Sequence, residues 1–361
     1  MNLNILVLPG DGIGTEVTRE AVRVLRHVAR KWKHSVRLTE GLLGGIAIHK
    51  TGKPLPDETA KLAKGADATL MGAVGLPEFD NEPPDKRPEQ GLLGIRKVLG
   101  VYANLRPVRA YASLLDSSPL KNDRVSGTDM IIVRELTGGL YYGTPRGITG
   151  NGNETRAVNT MVYTRGEIER VARMAFHLAT GRRKKVTSVD KSNVLENSQL
   201  WRRVVTEIAR EFPDIALDHI LVDNCAMQLI LNPTRFDVVL TENMFGDILS
   251  DEAAVLAGSI GMLPSASIGE RKASGAWVGL YEPVHGSAPD IAGQNKANPL
   301  GAIGSVAAML EYSFGLKEEA AAVNTGVEAV LSSGRVTADL KPAGRPATTE
   351  EVGETVCAAI G

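Results

Sequence analysis

Asp247 and Asp251 stand four residues apart in Thr241-Glu242-Asn243-Met244-Phe245-Gly246-Asp247-Ile248-Leu249-Ser250-Asp251-Glu252-Ala253. On a helix this spacing places both carboxylates on one face, where like charges cost roughly a few tenths of a kcal/mol. A hard divalent cation between them, Mg²⁺ or Mn²⁺, reverses the sign, because such ions prefer oxygen ligands. A solvated acidic face is the ordinary alternative. The preceding Phe236–Leu240 reads as a buried strand, so the acidic turn opens at a strand's carboxyl end, where open α/β sheets bind ligands. Two further strand ends carry reactive groups: Val186–Asp190 delivers Lys191, and His219–Val222 delivers Asp223. A lysine beside a cation has its ammonium form destabilised, which suits a general base or proton relay. Arg96, Arg106 and Arg134 lie near the ends of different elements. Guanidinium groups grip carboxylates through paired hydrogen bonds, so several together suit a dicarboxylic acid. Spacing alone does not bring them together.

The elements that must position these residues alternate between strands and helices. Asn4–Leu8 reads as a strand, Gly10–Gly14 as a turn, and the next stretch as a helix with Val17, Ala21, Val24, Leu25, Val28 and Trp32 on one face. Strands follow at Ala68–Met71, Met130–Arg134, Val186–Val189, His219–Val222 and Asp237–Leu240. A periodic helix spans about Arg165–Thr180 and stops at Gly181. The pattern predicts α/β layers with a mainly parallel sheet. Leu76–Gln90, rich in Pro and acidic residues, reads as a surface loop. The glycine-rich stretch Leu140–Val162 reads as a hairpin or arm with little core of its own, which a partner chain would cover. Gly10-x-Gly12-x-Gly14 departs from the dinucleotide fingerprint, and the region about 20 positions on, where that fingerprint has an acidic residue at a strand end, reads as basic helix. A Rossmann site is therefore not expected, although the loop remains a candidate neighbour of a ligand.

At 361 residues the chain has room for two domains. Its 43% apolar and 23% charged content is that of an ordinary soluble protein. A net charge of −1 gives no reason to expect nucleic acid or an anionic membrane as partner. Arg182-Arg183-Lys184-Lys185 reads as a solvated helix end. Cys225 and Cys357 cannot build a disulfide framework, and Cys225 reads as a small buried hydrophobe. With no leader-like N-terminus and no apolar run long enough to span a bilayer, the expected location is the cytoplasm.

Several ordered blocks resemble the β-decarboxylating hydroxyacid dehydrogenases, the isocitrate/isopropylmalate dehydrogenase family. They are Val133–Gly143, Ser188–Val194, Val222-Asp223-Asn224, Gly246–Asp251, Glu282–Asp290 and Ala297-Asn298-Pro299, and the resemblance runs over about residues 4–355. It implies a two-domain α/β fold of that family, non-Rossmann, with a dimer-forming β arm. Residues 1–105 and 258–361 would form a first domain carrying most of the NAD site. Residues 106–257 would form a central domain with the dimer interface, the arm at about 140–162 and the metal ligands. The active site would lie in the cleft between them.

The resemblance also assigns roles. Asp247 and Asp251, with Asp223 of the partner subunit in a homodimer with shared active sites, would hold Mg²⁺ or Mn²⁺. Arg96, Arg106 and Arg134 would hold the substrate's carboxylates. Lys191 of the partner subunit would take the hydroxyl proton, and Tyr141 would protonate the enolate left by CO₂ loss. A phenol with an ordinary pKa of about 10 can do so if a nearby cation stabilises its phenolate. His285, Gly286, Ser287, Ala288, Asp290 and Asn298 match the family's adenosine-side loop. Asp290 would accept from a ribose 2′-hydroxyl and repel a 2′-phosphate, so the cofactor implied is NAD, with Lys296 too weak a counterweight. Leu92 and Leu93 offer an apolar wall where isocitrate enzymes hydrogen-bond a third carboxylate. Val194 of the partner subunit would complete the pocket, and Glu89 would face both substrate and nicotinamide. The implied reaction is oxidative decarboxylation of (2R,3S)-3-isopropylmalate to 4-methyl-2-oxopentanoate in leucine biosynthesis; D-malate, tartrate or isocitrate are the alternatives. Thr15, Leu76-Pro77-Glu78-Phe79 and Gly94 depart from the family's usual residues, and Gly94 should cost its helix about 1 kcal/mol relative to Ala.

Overall fold

The computed structural model describes residues 1–272 and 275–361. In chain order its strands are Asn2–Gly10 (β1), Ser35–Glu40 (β2), Ala68–Ala73 (β3), Ala103–Arg109 (β4), Asp129–Glu135 (β5) and Gly147–Thr149 (β6). Arg156–Val158 (β7), Lys185–Asp190 (β8), Ala216–Leu221 (β9), Val238–Thr241 (β10), Pro264–Arg271 (β11) and Trp277–Pro283 (β12) follow. The helices are Gly14–Lys31 (α1), Gly45–Thr51 (α2), Asp57–Gly65 (α3), Glu89–Leu99 (α4), Asn122–Val125 (α5) and Arg165–Thr180 (α6). The rest are Glu196–Ala209 (α7), Val222–Leu231 (α8), Asn243–Ala254 (α9), Leu300–Phe314 (α10), Lys317–Ser333 (α11) and Thr349–Ile360 (α12).

The chain divides into two compact units: Met1–Val101, Tyr111–Pro119 and Ala257–Gly361 in one, Tyr102–Ala110 and Leu120–Leu256 in the other. The expected breaks after 105 and 257 fall at 101 and 256. Residues 111–119, expected in the central portion, belong to the first unit, where a 3₁₀ turn at Ala112–Ser117 packs against α11.

In the first unit the strands run β2-β1-β3-β12-β11, parallel except for the antiparallel β11–β12 pair. Every residue of β3 is buried, as befits a strand covered on both faces. α1 and α10 pack on one face, with α11 and α12 behind them. On the other, Leu6, Leu8, Leu43, Ala63, Met71, Ile95 and Leu280 form a core cluster that Leu55, Leu92 and Val98 extend. α4 lies close to the chain beside it. A Cβ on Gly91 would stand 2.5 Å from the Pro54 carbonyl oxygen, and one on Gly94 2.9 Å from Leu55 Cδ2. Those contacts give the helix's two glycines a packing reason that propensity alone does not.

In the second unit the order is β4-β5-β10-β8-β9, parallel except for β4 against β5. α6 and α7 pack together beside it, and α8 and α9 make a second pair. Trp201, Phe176 and Phe236 are fully buried, with the Trp201 indole N–H donating to Ser188 Oγ at 3.2 Å. α6 begins with a reciprocal Thr164/Glu167 capping box, which fixes its start where the periodicity placed it. The 140–162 stretch forms the expected hairpin, β6 against β7, with Ile148 exposed.

Most of the strands read from the sequence fall inside these ranges, with shifted ends. Val222 opens α8 rather than closing β9, Asp237 precedes β10, and Gln90 lies in α4 rather than in a loop. β2, β4, β11 and β12 went unread. β4 carries Arg106 and Pro107, and β2 is a half-exposed edge strand, so neither shows a clean apolar run.

The glycine turn is a packing device. Gly10 has φ +73°, and a Cβ there would lie 1.9 Å from the Ala73 carbonyl oxygen, which also accepts from Asp11 N–H at 2.7 Å. Gly52 has φ +76° with nothing within 4 Å of an added Cβ. Gly52→Ala therefore measures left-handed strain alone, about 1–3 kcal/mol, whereas Gly10→Ala adds a backbone clash. Thermal unfolding should show Gly10→Ala losing clearly more stability than Gly52→Ala. Equal losses would mean that the turn is not locked to β3.

Candidate active site

The parallel register brings the carboxyl ends of β5, β10, β8 and β9 to one edge of the second unit's sheet. Arg134 pairs with Thr241, Leu240 with Ser188, and Asp190 with Leu221. Residues that leave these ends, or the loops and helices that follow, are therefore delivered to one rim.

On that rim Glu242 caps α9: its carboxylate accepts from the N–H groups of Phe245 and Met244 at 2.5 and 3.1 Å. It also takes the Tyr163 hydroxyl at 3.1 Å. Burial pushes the Glu242 carboxyl above its usual range, against the pull of those donors. The cap aims α9 so that Asn243, Asp247 and Asp251 share one face. Gly246 keeps the helix close to β5, since a Cβ there would meet the Arg134 stem at 2.7 Å.

Asp247 takes the Tyr141 hydroxyl at 2.9 Å on one oxygen and the Arg134 guanidinium on the other. Asp251 takes Arg106 Nη1 at 2.8 Å, and the same nitrogen donates to Ser250 Oγ at 2.6 Å. The like charges at i, i+4 are thus each paired with an arginine. Burial first and the Asp247 carboxylate second push the Tyr141 phenol up to about 12; Arg134, 5.9 Å from its ring, pulls the other way and is outweighed. With Asp247 as its acceptor, the phenol directs its O–H toward the carboxylate. Arg106 lies inside β4 rather than near an element's end.

Lys191 follows β8 directly. Its backbone N–H donates to Ser198 Oγ at 3.1 Å, and the preceding Asp190, buried, is gripped by Arg202 through two bonds of 2.8 and 3.0 Å. Lys191 Nζ donates to Asp223 Oδ1 at 2.6 Å, which holds the Asp223 carboxyl below its usual range. Asp223 is the second residue of α8, two residues past the end of β9 rather than directly after the strand. Among the described residues no three His, Cys, Asp or Glu side chains gather into a metal cluster, so this chain's own Asp223 is not brought to Asp247 and Asp251. Those two carboxylates are hard oxygen donors, half-open and open to solvent, and they fit a divalent cation that leaves coordination positions to other ligands.

In the first unit the ends of β1, β3 and β12 carry the glycine turn, Val74-Gly75 and the 284–290 loop. Asp11, buried, accepts from the N–H groups of Gly45, Ile46 and Gly75 at 2.8–2.9 Å, tying α2 to the end of β3. Ile13 N–H donates to the Ser287 carbonyl at 2.8 Å, and a Cβ on Gly12 would stand 2.1 Å from that oxygen. Gly75 sits between Glu89 Oε1 and Ser287 Oγ, 3.4 and 3.5 Å from where a Cβ would lie. His285 is buried with Nδ1 against the Gly286 carbonyl at 2.9 Å and Nε2 without a partner among the described residues, and burial holds its pKa below the usual value. A neutral, orphaned ring nitrogen beside open Gly286 fits a bound polar ligand such as a dinucleotide. Ala288 has φ +35° and Asp290 is exposed, while Lys296 donates to Gln294.

Other expected residues have competing uses. The Asn298 side chain is engaged within the protein, accepting from Leu300 N–H at 3.0 Å and donating to Asp339 at 2.9 Å, so its expected cofactor contact competes with capping α10. Arg96 pairs with Glu282 at 2.7 Å, and its Nε is buried without a partner among the described residues. Leu92 packs against the core cluster, leaving half-buried Leu93 as the freer of the two wall residues. Val194 is exposed. Sequence reading missed Asn243, Asn104 and Asp11. Only Asn243 carried a readable signal, standing four residues before Asp247 as Asp247 stands before Asp251.

The profile of the isocitrate/isopropylmalate dehydrogenase family matches residues 4–356. A 3-isopropylmalate dehydrogenase of Geobacillus kaustophilus is 58% identical over 360 residues, 99% of this chain and 96% of that protein. One of Bacillus caldotenax is 61% identical over 319 residues, 88% of this chain and 85% of the relative. Among solved structures, an isocitrate dehydrogenase from Methylococcus capsulatus superimposes with a TM-score of 0.85 at 35% identity, covering 99% of this chain and 98% of the other. A β-decarboxylating dehydrogenase from Thermococcus kodakarensis gives 0.79 at 37%, covering 99% and 95%. With the family profile matched over nearly its whole length and a relative 58% identical, the chain belongs to the isocitrate/isopropylmalate dehydrogenase family.

Proposed function

We propose that this chain catalyses the NAD- and Mg²⁺- or Mn²⁺-dependent oxidative decarboxylation of (2R,3S)-3-isopropylmalate to 4-methyl-2-oxopentanoate and CO₂, a step of leucine biosynthesis. The observation that carries the reading is the Asp247 carboxylate, shared by the Tyr141 hydroxyl and the Arg134 guanidinium one helical turn from Asp251. It supports the reading because these residues, which would serve as proton donor, carboxylate anchor and cation ligand, share one hydrogen-bonded group, on a chain 58% identical to a 3-isopropylmalate dehydrogenase.

When bound, a divalent cation would polarise the substrate's α-carboxylate and hydroxyl, and NAD would accept the hydride. Asp247 and Asp251 would hold the cation, with Asp223 of the partner subunit. Arg96, Arg106 and Arg134 would orient the carboxylates. Lys191 of the partner subunit, fixed through Asp190 and Ser198 on its own chain, would take the hydroxyl proton. After CO₂ leaves, Tyr141, held protonated, would return a proton to the enolate carbon. His285, Gly286, Ser287, Ala288, Asp290 and Asn298 would line the NAD site, and Glu89 would face nicotinamide and substrate. Leu93, with Leu92 behind it and Val194 of the partner subunit, would receive the isopropyl group, since an apolar wall penalises a buried charged substituent by several kcal/mol, roughly.

A homodimer is supported by the apolar residues exposed on the α8–α9 pair, among them Met227, Ile230, Leu231 and Ile248, and by the coreless hairpin. The described residues contain no helix long and apolar enough to cross a membrane, in keeping with a cytoplasmic enzyme.

Comparing kcat/KM across 3-isopropylmalate, D-malate, tartrate and isocitrate tests the substrate; 3-isopropylmalate should be preferred, and D-malate matching it would remove the apolar-wall argument. Asp251→Asn should weaken Mn²⁺ binding and activity together, and unchanged Mn²⁺ affinity would count against the ligand assignment. Shared sites have a sharper test. Lys191→Ala and Asp251→Asn homodimers should each be nearly inactive, while unfolding and refolding an equal mixture should restore about a quarter of wild-type activity through heterodimers with one intact site. No recovery in mixtures proven to contain heterodimers would place all the catalytic groups on one chain.

A further inference from the structure

Arg106 and Arg134 reach this rim from neighbouring antiparallel strands, and each is held on its Nε side by a buried asparagine. Arg134 Nε and Nη2 donate to Asn243 Oδ1 at 3.0 and 2.8 Å, while Nη1 goes to Asp247. Arg106 Nε donates to Asn104 Oδ1 at 3.0 Å, while Nη1 goes to Ser250 and Asp251. Asn104 is the register partner of Arg134, so the two pairs interlock across β4 and β5. Asn243 is 1% exposed; its Nδ2 donates to the Gly138 carbonyl at 3.0 Å, and its backbone N–H to the Tyr163 hydroxyl at 2.9 Å.

An amide oxygen holds a guanidinium without neutralising it. A carboxylate in its place would bind the arginine more tightly and cancel its charge, and an apolar side chain would release it to close on Asp247 with both Nη groups. We infer that Asn243 is a positioning residue that divides Arg134 between two tasks, keeping it from capturing Asp247 and keeping its charge available to a substrate carboxylate. Asn104 does the same for Arg106. This rests on the reading that Asp247 and Asp251 bind the divalent cation and the arginines bind the substrate.

Opposite signs are the test. Mn²⁺ binding to the full-length protein without substrate, measured by calorimetry or electron paramagnetic resonance, should tighten in Asn243→Asp, where the new carboxylate draws Arg134 off Asp247. It should weaken by roughly tenfold in Asn243→Ala, where Arg134 closes on Asp247, the scale of one or two charge-assisted hydrogen bonds. The KM for 3-isopropylmalate at saturating Mn²⁺ should rise about tenfold or more in Asn243→Asp, with a smaller change in kcat. Tyr163→Phe, which disturbs the same buried network without touching Arg134, should change Mn²⁺ affinity less than about twofold. Parallel weakening of Mn²⁺ in both Asn243 variants, or a Tyr163→Phe effect as large as that of Asn243→Ala, would overturn the assignment and leave Asn243 a structural residue. Failure of the wild type to oxidise 3-isopropylmalate would instead overturn the substrate reading, while the sign of the Mn²⁺ shifts would still decide the role of Asn243.

Discussion

The second unit's rim depends on a buried guanidinium held by one neutral and one charged acceptor. Arg134 is nearly enclosed, and a cation so placed is tolerated only when its donors are met. Asn243 meets two of them, and Asp247 a third. The arrangement locks α9 to β5 in register and turn. It also fixes where Asp247 points, and hence which oxygen is left for Tyr141. Glu242, Gly246 and Tyr163 serve the same end: one starts the helix, one lets it approach the arginine stem, and one closes the buried network behind it.

From that constraint follows the charge balance of the site without ligands. Asp247 and Asp251 would repel each other on a bare helix face, and the arginines remove that cost. Neither pair is a sealed ion pair, because Asp251 stands open and Asp247 is half-exposed. In both, solvent reaches the carboxylate while the arginine is largely buried. The Nε sides of both arginines are clamped by asparagine amides.

How much of this was legible depended on range along the chain. The acidic face of α9 could be read because helical periodicity is local, and the same periodicity extended one turn back would have included Asn243. A helix over about Arg165–Thr180 was readable because its apolar stripe is local and Gly181 ends it, and the capping box at Thr164 and Glu167 accounts for its start. The rejection of a Rossmann loop rested on spacing, and the packing of Gly10 and Gly12 against backbone oxygens supplies the turn with another reason to be glycine. The Asn104–Arg134 register, by contrast, is a strand pairing between residues thirty apart, and β4 hides it behind a proline and two arginines. The grouping of the arginines with the aspartates was out of reach for that reason, and only the family resemblance anticipated it. The Tyr141–Asp247 hydrogen bond was out of reach for the same reason, since it joins residues 106 apart in sequence.

The first unit solves a different problem with the same economy of groups. Its strand ends are crowded by backbone, and a side chain at Gly10, Gly12 or Gly14 would strike a carbonyl or amide of a neighbouring turn. Asp11 is the polar counterpart of those absent side chains. Buried among three N–H groups of α2 and the β3 loop, it satisfies donors that would otherwise be orphaned at a helix start. Because Gly75 is one of the three, Asp11 also sets the ledge between Glu89 and Ser287. A glycine turn outside the Rossmann pattern needs some other device to hold neighbouring loops together. Here that device is a buried carboxylate binding loops together from beneath, while His285 Nε2, near Ser287 in sequence, has no partner among the described residues.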